Sequence, residues 1–140
     1  MSGMLFEDAY NHRSASSAAV LTAGAVSTTA AGTIAPTTNA GASPTVTFAT
    51  GQVATDNGGS FTLNPVTGGG AQAAGATAVV TFSNAFGKPP VVLVTAVNDS
   101  GSVAVGAKAT SITAAGFSVS TPALTTANTY TIVYQVIPVA

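Results

Sequence analysis

Cysteine and tryptophan are both missing from this 140-residue chain, and charged side chains make up only 5% of it. Without cysteine there can be neither disulfide staples nor thiolate metal sites, and the redox compartment leaves no mark. An ordinary globular domain carries roughly 25% charged residues, so here Ser, Thr, Gly and Ala must take the surface positions that charge usually fills. Arg13, Lys88 and Lys108 are the entire set of strong cations. They are too few and too scattered for the clustered basic footprint that phosphate binding needs, so nucleic acid is not expected as a partner.

Enzyme chemistry is short of parts for the same reason. The single histidine, His12, lies near the N-terminus, far in sequence from every strand-like segment, and a serine nucleophile needs a base held beside it. Two carboxylates, Asp56 and Asp99, are all that residues 42–140 supply. Each sits in a turn-forming stretch, where capping backbone amides is the expected role, not glycosidic acid–base work. Asp56-Asn57 and Asn98-Asp99-Ser100 supply only a fragment of a calcium ligand set. Gly68 to Gly70 lacks the Lys and Ser/Thr of a phosphate loop and reads as a plain loop. Asn98-Asp99-Ser100 also matches the short glycosylation sequon, but it is read as a turn. No catalytic, metal-binding or cofactor-binding residue is expected, and no cofactor.

Long apolar runs are missing too, so no membrane span is expected. The first residues lack a basic n-region and contain Glu7 and Asp8, so no signal peptide is expected. Disorder is equally disfavoured, because hydrophobic residues reach 46% and the net charge is only −1.

What is present divides the chain in two. Residues 1–41 form an N-terminal arm and linker in this reading. Met4, Leu5, Phe6 and Tyr10 stand at roughly helical spacing beside Glu7, Asp8, His12 and Arg13, enough for a turn or two of helix that docks on a partner but not for a stable isolated helix, the alternative being a frayed terminus. From Ser14 to Gly41 the chain is mostly Ala, Ser, Thr and Gly, with Val20, Leu21, Val26 and Ile34 as isolated apolar residues, and it reads as an extended arm or linker. The expected partner-binding set is Leu5, Phe6, Glu7, Asp8, Tyr10 and Arg13.

Residues 42–140 read as a single β domain. Val46 and Phe48 alternate with Thr, as do Phe61 and Leu63 with Ser60, Thr62 and Asn64, and Asp56-Asn57-Gly58-Gly59 between them predicts a hairpin. Val80 and Phe82 face one way, Val79 and Thr81 the other. Val91 to Val97 is the most continuous apolar run and predicts a buried, central strand. Val103 to Thr110 predicts a strand of small residues packed close to a neighbour, and Phe117 to Thr121 alternates cleanly. In the last strand Tyr130, Ile132, Tyr134 and Val136 share one face, Thr131, Val133, Gln135 and Ile137 the other, and both faces are expected to be at least partly covered. Because its free edge would invite pairing with other chains, that strand should lie inside a sheet or at a subunit contact. Phe82, Phe86, Phe117, Tyr130 and Tyr134 are expected in the core, where Val and Ala leave volume to fill. Seven or eight short strands with frequent turns describe an all-β fold, a single antiparallel β-sandwich of jelly-roll-like kind.

The order of Asp56-Asn57-Gly58-Gly59-Ser60-Phe61-Thr62-Leu63, Val79-Val80-Thr81-Phe82-Ser83-Asn84-Ala85-Phe86, Pro89-Pro90-Val91-Val92-Leu93-Val94, Gly116-Phe117-Ser118-Val119 and Tyr130 to Ile137 resembles a β-sandwich module of tailed-phage head-decoration proteins and fibre ends. The resemblance covers Val46 to Ile137 and implies a trimer displayed on a virion surface with no catalytic centre; it carries over no binding residues. The expectation that follows is a capsid decoration protein on the head, binding the major capsid protein and itself as a homotrimer, with the arm gripping the shell. The alternative is a tail-fibre or adhesin tip that binds a host-surface receptor through loops such as Ala71 to Gly75 and Ala123 to Asn128.

Overall fold

The computed structural model describes residues 32–65, 72–126 and 128–140. Ten strands occur among them: β1 (Thr33–Pro36), β2 (Thr45–Thr47), β3 (Ala54–Thr55), β4 (Gly58–Asn64), β5 (Gly75–Thr81), β6 (Val91–Asn98), β7 (Val103–Val105), β8 (Lys108–Thr113), β9 (Gly116–Thr121) and β10 (Tyr130–Ile137), with one 3-10 turn at Thr38–Ala40. The strands pair antiparallel in two sheets, one ordered β1-β5-β9-β8 and the other β2-β4-β10-β6-β7, with β3 also on β4. Packed face to face, the sheets make the antiparallel β-sandwich that the alternation predicted. Among the described residues no helix is long and apolar enough to cross a membrane.

Period-two alternation decides which side chains meet between the sheets. Along β10, Tyr130, Ile132, Tyr134 and Val136 are buried; from β4 come Phe61 and Leu63, from β5 Ala78 and Val80, and from β9 Phe117 and Val119. Full burial of a side chain such as Ile132 contributes about 1.5–3 kcal/mol. A line of aromatic rings crosses this interior. Phe86 meets Phe82 edge-on at 4.9 Å, Phe82 lies 5.9 Å from Phe117, Phe117 lies 5.5 Å from Tyr134, and Tyr134 lies 6.4 Å from Phe61. The Phe117–Tyr134 step joins the two sheets. All five aromatics expected in the core are there, Phe86 being only partly buried.

Two glycines are set by close approach. A Cβ on Gly59 would stand 2.2 Å from the Val53 carbonyl oxygen, and one on Gly116 would stand 2.3 Å from that of Val80. The second glycine of Asp-Asn-Gly-Gly is therefore there for the backbone crossing it, whatever the turn itself requires. The hairpin is formed as expected, with Thr55 opposite Gly58 and, farther along, Val46 opposite Leu63.

The structure departs from the sequence reading in four places. The sandwich begins before residue 42. Ile34 pairs with Val80 in β1–β5, Ala40 is fully buried, and Asn39 Nδ2 donates to the Ala76 carbonyl at 2.9 Å. A four-residue strand held by ladder hydrogen bonds needs little apolar content of its own, which is why Ile34 looked isolated. The stretch Val103 to Thr110 is two strands, not one. β7 pairs with β6 and β8 with β9, so the chain passes from one sheet to the other at Gly106-Ala107. Next, β6 is not the central strand. The middle place belongs to β10, which has β4 and β6 on its two sides and so has no free edge. Last, β6 and β10 are each covered on one face only. Val91, Leu93, Val97, Val133 and Ile137 are exposed, because no second layer lies over that side among the described residues.

Tyr134 links packing to pH. Its hydroxyl donates to the Thr55 carbonyl at 2.7 Å, and burial, reinforced by the Asp56 charge, pushes its pKa up to about 12. A raised folded-state pKa gives stability that is complete below the unfolded value near 10 and is lost as pH rises towards 12. Tyr134→Phe should cost about 1 kcal/mol at neutral pH, since the Thr55 carbonyl loses its partner. In chemical unfolding from pH 9 to 12, the stability gap between wild type and variant is expected to narrow above pH 10. A constant gap would contradict the assignment.

Candidate functional site

The two carboxylates of the sandwich hold loops in place. In the β3–β4 turn, Thr55 Oγ1 accepts from the Asn57 and Gly58 amides at 3.3 and 3.2 Å. With the turn capped by its neighbour, the Asp56 carboxylate is free to reach across to the β5–β6 connection. There it accepts from the Ser83 amide at 2.8 Å, the Asn84 amide at 3.0 Å and the Ser83 hydroxyl, and the residue is buried. Asp56 thus caps amides as expected, but in a loop 27 residues away, not in its own turn. At the β6–β7 turn, Asn98 Oδ1 accepts from the Ser100 amide at 3.0 Å, and Asp99 accepts from the Thr129 hydroxyl at 3.1 Å.

The two carboxylates lie at opposite ends of β10. Asn98 sits opposite Tyr130, whereas the Asn57 carbonyl accepts from the Val136 amide. Six residues of strand separate these points by roughly 20 Å, about twice the widest spacing at which two carboxyls share a glycosidic bond. Lys88 donates to the Ala140 carbonyl at 2.8 Å. Among the described residues no three His, Cys, Asp or Glu side chains gather where a metal could bind.

Leu5, Phe6, Glu7, Asp8, Tyr10 and Arg13, the expected partner-binding set, lie outside the described residues, as do His12 and Gly68 to Gly70. Of the two loops proposed for receptor contact, Ala74 and Gly75 border an open groove of about 560 Å³ at the ends of β5, β8 and β9, together with Lys108, Thr121 and Pro122. Its walls are small and aliphatic, with the Lys108 ammonium as its charged group.

The outer faces of the two sheets differ in kind. On the four-stranded sheet Thr81, Ser118, Ser120, Thr110 and Lys108 share the outward side with Val79. On the larger sheet the outward rows of β6 and β10 carry Val91, Leu93 and Val97 beside Ile137, Gln135 and Thr131. Val133 stands in register with Thr95, and no charged residue occurs in either row. This uncharged face is the feature the sequence reading missed. The sequence shows apolar residues in both alternating sets of β6 and, with Val133 and Ile137, in the outer set of β10, a pattern that a covered face and a bare one share. Comparison with known proteins adds no relative, for no family model matches the chain, and neither a curated protein nor a solved structure gives a significant match.

Proposed function

We propose that this chain is a structural protein of a phage virion, a decoration protein that assembles as a homotrimer, binds the major capsid protein and stabilises the outside of the head. The observation that carries this reading is the uncharged outer face of β6 and β10, a surface suited to packing protein on protein. Two further features support it. The segments that resemble head-decoration modules lie in β4, β5, β6, β9 and β10 and supply the core, so the resemblance extends through the framework. The carboxylates Asp56 and Asp99 are engaged in loop contacts 27 and 30 residues apart in sequence, respectively.

In this reading Leu5, Phe6, Glu7, Asp8, Tyr10 and Arg13 grip the shell, with ordering of the segment compensated by contacts along it. Deleting residues 1–13 should then abolish co-sedimentation with purified heads while leaving the β circular-dichroism signature of the sandwich intact. Heads that retain the truncated protein would overturn the docking role of these residues. The groove beside Gly75 and Pro122 favours a second reading, a tip that binds a host-surface receptor. Saturable binding of the full chain to host cells, weakened by Lys108→Ala, together with no binding to heads, would replace the first reading with this one.

A further inference from the structure

We propose that the outer face of the six-stranded sheet, centred on Leu93 and Val133, is the surface through which copies of this chain pack against one another. The inference rests on the homotrimer reading only in expecting a homo-oligomer. It stands whether the assembly coats a head or tips a fibre.

Antiparallel register sets Leu93 beside Gln135, Val91 beside Ile137 and Thr95 beside Val133. These are neighbours on one face, about 5 Å apart. Leu93 is 54% exposed, Val91 50%, Val133 45% and Ile137 44%. Val133 lies on the middle strand with Ser60 and Thr95 on its two sides, whereas β6 before Ala96 is paired with β10 alone, and the outward side chains of both strands stand over the face of the sheet. What they offer is flat apolar area, which favours another apolar surface over water.

Three features select a second copy as the occupant. First, the outward rows of β6 and β10 hold no charge, so pressing two copies together buries no ion and sets no like charges opposite each other. A charged partner would lose hydration there and gain no counter-charge. Second, the face carries a recess. Leu93 is exposed, and it forms one wall of a shallow depression of about 220 Å³ lined also by Thr95, Val133, Tyr134 and Gln135, a recess that an apolar side chain of a second copy can enter. Third, the dimensions suit. The sheet spans roughly 20 Å along β10 and roughly 20 Å across its strands. That is on the order of 400 Å² in projection, and side-chain relief brings the accessible area towards the roughly 800 Å² per partner of a stable complex.

The test is mass in solution by light scattering on the full chain, with no capsid present, so that its outcome is independent of head binding. Wild type is expected at a multiple of the 13.4 kDa chain mass. Leu93→Lys and Val133→Lys should each weaken self-association at least tenfold while keeping the wild-type circular dichroism. Thr81→Lys, on the outer face of the other sheet, should leave the mass unchanged. A monomeric wild type would overturn the proposal, as would an oligomer whose mass neither β6 nor β10 substitution lowers. Should a lysine variant fail to fold, Leu93→Cys in this cysteine-free chain supplies a second measurement with a short bis-maleimide. Covalent oligomers support the interface, and monomer alone after treatment overturns it.

Discussion

Phe117→Ala is expected to lower unfolding free energy by about 3–5 kcal/mol, the range for emptying a buried aromatic site. Phe117 is 2% exposed and stands between Phe82 and Tyr134, at 5.9 and 5.5 Å. Removing its ring deletes the contact by which β9 meets β10 across the sandwich. The cavity could close only if the two sheets moved together. Since small domains are stable by only about 5–15 kcal/mol in total, a loss of this size should be plain in urea unfolding as a lower midpoint at unchanged slope. Phe117→Leu keeps most of the volume and should cost well under half as much. A change below about 1 kcal/mol for the alanine variant would mean that the aromatic line does not hold the sheets together.

Asp56→Ala should cost about 3–4 kcal/mol, for a different reason. The carboxylate accepts from two backbone amides and a hydroxyl. Hydrogen bonds to a charged group are worth about 1.5–3 kcal/mol each, and they do not add fully when they share one acceptor group. The amides of Ser83 and Asn84 would be left without their partner in a place the alanine cannot reach. Asp56→Asn retains one carbonyl acceptor but turns an NH2 towards donors, so its stability should fall between those of wild type and the alanine variant. Amide exchange locates the effect. Protection at Ser83 and Asn84 should drop in both variants, whereas Phe61 and Ile132 in the core should change only as far as global stability does. Unchanged protection at Ser83 and Asn84 would rule out the clasp.

The segments that could be read from sequence are those in which one set of alternating side chains is large. β4, β9 and β10 place Phe61, Leu63, Phe117, Val119, Tyr130, Ile132 and Tyr134 inward, with Ser, Thr or Gln among the residues between, and period two points to the pair of layers. β1 was not legible because Ile34 and Pro36 are all it turns towards the core, and its place depends on backbone pairing with β5, which leaves no compositional trace. The crossing at Gly106-Ala107 was hidden by the small residues on both sides of it. Asp56 was assigned the right chemistry and the wrong loop, since a sequence shows that a turn carboxylate will find amides but not that Thr55 already serves the nearer ones. The uncharged face could be seen only with the sheets in place, because Val91, Leu93 and Val133 read alike whether a second layer covers them or not.

The place of β10 has a bearing on how the molecule is made. It is the last of the ten strands among the described residues, yet it is the one that joins β4 to β6. Until residues 130–137 have left the ribosome, β4 and β6 each present an unpaired edge, and their apolar side chains wait without a shared neighbour. Pairings such as Phe61 with Ile132 close loops of about seventy residues, the kind of long-range contact that slows folding and leaves nascent chains open to aggregation. The larger sheet is therefore completed only when β10 pairs with both of its neighbours, and conditions that delay that pairing should lower the yield of this protein without altering the stability of what does fold.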